Sequence, residues 1–191
     1  MEFLTDFADE AVILPLAATI AVVLAALGWW RGALAWTVSV SGVLGTMGFL
    51  KVLFVACYEP LSGLGIHSPS GHTAAATVTY GGILLLLGRG RVPMPLLVLV
   101  PPAITVVIAI TRVSLGAHVP VETVVGGVVG LLGAAVLLPL AGPRPALRSW
   151  PVAVVVLAIM LCFHGMRLQA EQTIHNFAYL SWLPLSAMCR A

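Results

Sequence analysis

Two short stretches hold almost all the residues able to do acid, base or nucleophilic chemistry. The first reads His67-Ser68-Pro69-Ser70-Gly71-His72-Thr73 and leads straight into an apolar run. The second runs from Thr111-Arg112 through His118-Val119-Pro120-Val121-Glu122 and also leads into an apolar run. Imidazoles titrate near neutrality, so His72 and His118 can each attack, accept a proton or donate one. Gly71 allows an unusual backbone turn, and a helix beginning there offers unpaired N–H groups and the positive end of its dipole. Such a terminus takes an anion, with Ser70 as a further donor. If Pro120 lies in the first turn of the next helix, His118 stands just before it and Glu122 about one turn in. A carboxylate there can hold one ring nitrogen of His118, fix the tautomer and leave the other nitrogen to attack. Arg112 offers a planar fork for phosphate oxygens, and Lys51 adds a compact positive charge.

These side chains need a scaffold, and the composition says which kind. The chain has 191 residues, 60% of them hydrophobic and 8% charged, with a mean hydropathy of +1.09. Too few charges are present to cover a soluble domain of this size. The expectation is an all-α, polytopic membrane helix bundle forming a single domain over residues 1–191, with the bilayer as solvent. Six apolar runs are candidates for its helices: 11–30, 34–56, 73–88, 92–110, 123–140 and 150–166. They are continuous rather than alternating, which disfavours membrane strands. Pro101 and Pro102 predict a kink in the fourth. Gly126, Gly127, Gly130 and Gly133 give the fifth a face for close helix packing. Trp29, Trp30, Trp36 and Trp150 read as interfacial anchors. The acidic start, Met1 to Glu10, lacks the basic region of a signal peptide, so the first run is expected to be retained.

Arg31, Arg89, Arg91, Arg144 and Arg148 fall in alternate connections. The positive-inside rule places those connections in the cytoplasm and turns both histidine-bearing loops outward. A net charge of +2 without a basic run gives no reason to expect nucleic acid. Cys57, Cys162 and Cys189 form no CxxC pair, and Cys57 and Cys189 fall on the outer side, where a bridge could form. His67 and His175 have no motif partner and read as loop residues. His164 reads as a hydrogen-bonded interior or boundary residue of the sixth run.

Ser68-Pro69-Ser70-Gly71-His72-Thr73 and Arg112-x5-His118-x3-Glu122, with Lys51 upstream, resemble the type 2 phosphatidic acid phosphatase superfamily. The likeness runs from about residue 51 to residue 140. It implies a metal-independent lipid phosphatase, with no cofactor and a phosphorylated membrane lipid as partner. His118 would form a phosphohistidine, His72 would protonate the leaving group, and Glu122 would orient His118. Lys51, Ser70, the Gly71 N–H and Arg112 would bind the phosphoryl oxygens. The resemblance also implies a bacterial inner membrane, with the site facing the periplasm. Two departures stand out. Where the family has Arg-Pro seven residues after its lysine, this chain has Tyr58 and Glu59, with Pro60 one place late. Glu122 replaces the usual aspartate, an exchange read as conservative because the longer side chain still reaches an imidazole; Thr111 replaces a serine. Open alternatives are a lipid phosphotransferase, a non-catalytic transporter or structural relative, and a metal hydrolase using His118, Glu122 and His72 or His67.

Overall fold

The computed structural model describes residues 1–57, 66–146, 148–168, 172–174 and 176. Its regular elements are all helical: α1 (Glu2–Asp6), α2 (Glu10–Ala26), α3 (Trp30–Ala56), α4 (Gly71–Ala76), a π-helical stretch (Thr77–Gly81), α5 (Gly82–Gly88), α6 (Met94–Leu97), α7 (Val100–Ser114), α8 (Pro120–Ala141) and α9 (Trp150–Phe163). Among the described residues, four helical segments are long and apolar enough to cross a membrane: Glu2–Ala26, Trp30–Val55, Met94–Ser114 and Pro120–Ala141. The other two expected runs are present as helix but shorter. The third is divided between α4, the π stretch and α5, and α9 has 14 residues.

Local chemistry explains the boundaries. Asp9 caps α2, its Oδ1 accepting from Ala11 N at 2.9 Å. Gly28, at φ 82°, ends that helix and reverses the chain, so α3 starts at Trp30 rather than at residue 34. Pro101 and Pro102 do not kink a helix interior. They lie in the first turn of α7, where a missing N–H costs nothing. The helix then runs on to Ser114, so Arg112 stands in its last turn and not in a loop. Pro120 opens α8 as expected, one residue after Val119, the N-cap.

Helix α8 is the centre of the bundle and packs against α3, α4, α7 and the π stretch. Its small residues allow this. A Cβ on Gly130 would stand 2.7 Å from the Ala74 carbonyl oxygen, and one on Gly133 would stand 2.2 Å from Val43. On the other side, α2 lies between α3 and α9. Two of the four tryptophans expected at the interface are core residues. Trp36 is fully buried and donates from Nε1 to the Ala17 carbonyl at 2.9 Å. Trp29 is buried and donates to the Ala141 carbonyl at 3.3 Å. A ring N–H buried in this way needs an acceptor, and for Trp29 the end of α8 supplies one. Trp30 and Trp150 are exposed.

Candidate active site

All seven residues singled out in the sequence stand at one end of the bundle. The arrangement grows from Glu122, buried in the first turn of α8. Its Oε2 lies 2.8 Å from His118 Nδ1 and accepts from Val119 N at 3.3 Å. Its Oε1 accepts from His67 N at 2.7 Å and from Ser68 N at 2.9 Å. Both oxygens therefore carry two partners each, about the full capacity of a carboxylate. The His118 pair leaves Nδ1 as the protonated nitrogen when the ring is neutral, and it directs Nε2 to the opposite side.

The same turn of α8 docks the other motif. Ser70 N donates to the Glu122 carbonyl at 3.0 Å. A Cβ on Gly126 would come within 2.2 Å of the Ser70 carbonyl oxygen, so only glycine lets the two backbones meet. Ser70 itself is fully buried; its Oγ lies 2.9 Å from Thr73 Oγ1 and accepts from Thr73 N at 3.5 Å. That hydroxyl is turned to the start of its own helix. Gly71 does not serve an unusual turn, because it has no positive φ; its missing side chain leaves room for Lys51. A Cβ there would lie 3.3 Å from Lys51 Cε, 3.7 Å from Lys51 Nζ and 3.6 Å from Glu10 Oε1. The buried Lys51 side chain thus reaches from α3 to the N-terminus of α4. Arg112 bonds from a terminal nitrogen to Thr5 Oγ1 at 3.3 Å, and its carbonyl accepts from Ala117 N at 3.1 Å, which ties the loop carrying His118 back to α7.

His72 shows what the sequence did not reveal. Its Nε2 lies 3.6 Å from Asp9 Oδ2. Asp9, Glu10 and His72 each place one ligand atom within 4.8 Å of the others, close enough to hold a cation in principle. Lys51 beside them opposes a divalent ion. Glu122, with both oxygens occupied by N–H donors, has no lone pair to give a metal shared with His118. Asp9 and Thr5 carry no motif spacing to residues 72 or 112. In the sequence Asp9 is one acid of the acidic start, with nothing to link it to His72.

His67 is exposed at the loop surface, and His164 ends α9 with Nε2 3.1 Å from the Phe3 carbonyl, its ring against Phe3 and Phe7. Tyr58, Glu59, Pro60, His175 and Cys189 lie outside the described residues. Cys57 is disulfide-bonded and Cys162 is free and exposed.

Residues 55–146 match the family model described as the PAP2 superfamily. The match takes in His72, Arg112, His118 and Glu122, and it begins after Asp9 and Lys51. No curated protein and no solved structure matches the chain. Both motifs, docked on one helix turn, fall within this match, and through residues 55–146 the chain is similar to the PAP2 superfamily.

Proposed function

We propose that this protein is a metal-independent phosphatase for a phosphorylated membrane lipid, working through a phosphohistidine on His118. The observation that carries the reading is Glu122, which holds His118 Nδ1 with one oxygen and the loop before His72 with the other. Attack on phosphorus falls to His118 Nε2. Lys51, Arg112 and the backbone N–H groups at the start of α4 balance the phosphoryl charge, which is most of what such a transfer needs from a protein. As the P–N bond forms and the P–O bond to the lipid breaks, His72 gives its proton to the departing oxygen and becomes neutral. Water then attacks the phosphohistidine, its proton returns to His72, the P–N bond breaks and inorganic phosphate leaves.

A membrane-bound substrate is supported by the four long apolar helices and by a site at one end of them. On this reading all six apolar runs cross or enter the bilayer, the arginine-bearing connections face the cytoplasm, and the site faces outward in a bacterial inner membrane. The test is phosphate release by purified protein in lipid nanodiscs, across a panel of phosphatidic acid, phosphatidylglycerol phosphate and polyprenyl phosphates or diphosphates. Rapid quench under alkaline conditions is expected to trap label on His118 and none in His118→Ala. Label on another residue, or full turnover in His118→Ala, overturns the mechanism.

A further inference from the structure

We propose that Asp9 is the positioning residue for the acid His72: its Oδ2 holds the ring and balances the charge of its proton-carrying form. The inference rests on the phosphatase reading above and adds to it a residue just before α2 and outside the matched family segment.

The two oxygens of Asp9 divide the work. Oδ1 takes the structural bonds, from Ala11 N at 2.9 Å and Leu168 N at 3.0 Å. These fix the carboxylate from two directions, one at the start of α2 and one from the segment after α9. Oδ2 faces His72 Nε2 at 3.6 Å, the separation of an ion pair rather than a hydrogen bond. Both side chains are largely withdrawn from solvent, 9% exposed for Asp9 and 13% for His72, so water does little to screen them. Glu10 is the second carboxylate in the cluster, and Lys51 is the ammonium beside it. Two carboxylates and one ammonium leave the cluster one positive charge short. A proton-carrying His72 supplies that charge, and this is the form a general acid needs before the lipid oxygen departs. Asp9 keeps its charge throughout; the proton moves only between His72 and the leaving oxygen or water.

Asp9→Asn isolates the electrostatic role, because an asparagine caps a helix as well as an aspartate and retains an oxygen for Ala11 and Leu168. The readout is turnover of a lipid phosphate against turnover of nitrophenyl phosphate, whose leaving group needs no proton. Asp9→Asn is expected to slow the lipid substrate about 10- to 100-fold while leaving nitrophenyl phosphate within about threefold. In a His72→Ala background the same change is expected to cost nothing further, since it acts through the missing ring. Equal losses on both substrates would make Asp9 a scaffold residue, and additive losses in the double variant would separate it from His72; either overturns the proposal, as does full activity on the lipid. Wild-type turnover and its dependence on His118 are read first. Their absence would fail the phosphatase reading, whereas a wrong substrate ratio fails Asp9 alone.

Discussion

Glu122 carries four hydrogen bonds, and the length of its side chain decides how many of them a shorter acid keeps. Reading the Glu-for-Asp exchange as conservative considered only the imidazole. The structure adds the N–H groups of His67 and Ser68, more than fifty positions away in the chain. An aspartate is one methylene short and can serve the ring or the loop, not both. Each bond to an ionised carboxylate contributes about 1.5–3 kcal/mol. Glu122→Asp is therefore expected to lower kcat/KM about tenfold or more, with the loop loosened. Glu122→Gln still reaches the loop but turns an amide to His118 Nδ1, and it is expected to lose about two to four orders of magnitude. Phosphate-release kinetics on both variants check this, and an Asp variant at wild-type rate removes the second role. The His118–Glu122 pair was legible in the sequence because four residues make one helical turn. The bond to the first motif and the approach of Asp9 to His72 were not, because no local period links residues so far apart.

At the scale of elements, two of the basic residues that suggested the topology meet the C-terminal end of α8. Arg31 donates from Nε to the Leu140 carbonyl at 2.9 Å. Arg89 donates to the carbonyls of Leu138 at 3.0 Å and Gly142 at 2.8 Å. Cations there satisfy open carbonyls and meet the negative end of the helix dipole. Arg89→Ala is expected to cost about 1–2 kcal/mol, seen as a lower Tm in detergent, with the turnover of the surviving folded protein unchanged. At the other end of the same helix, Gly126→Ala forces a methyl against the Ser70 carbonyl. It is expected to cost about 1–3 kcal/mol in strain and to abolish turnover by lifting the His72 loop from α8. A Gly126→Ala protein with normal rates would show that the loop can settle elsewhere. The helices themselves were legible as apolar runs. The break of the third into α4, the π stretch and α5 was not, since no proline marks it and its apolar character continues across it.

For the molecule as a whole, orientation and thiol chemistry are open to direct measurement. In intact cells of an expression host, a cysteine placed at Arg144 is expected to resist an impermeant maleimide, and one placed at the exposed His67 to react. The reverse pattern moves the site to the cytoplasm. In protein purified without reductant and denatured, one thiol per chain is expected to be alkylated, at Cys162; after reduction all three cysteines of the chain should react. Three labels before reduction would dismiss the bridge at Cys57. The helical fold class was legible because so apolar a composition points to a bilayer and the apolar runs are continuous rather than alternating. The joining of the N-terminal residues to the segment after α9 was not. Arg167 meets Asp6 at 3.1 Å and Glu2 at 3.3 Å, and Leu168 N meets Asp9 Oδ1 at 3.0 Å, and nothing in the sequence around either segment announces the other.

That junction has a consequence in time. A ribosome releases the N-terminal helix first, and Leu168 follows Asp9 by 159 residues. At about 5–20 residues per second, Asp9 waits on the order of ten to thirty seconds for its second backbone donor. In the last part of that interval, once Glu122 has been made, the nascent chain holds both histidine motifs, yet the carboxylate facing His72 is fastened from one side only. The seat of Asp9 against His72 is thus completed only by the segment after α9, and a chain arrested before that segment emerges carries both motifs without this finished geometry.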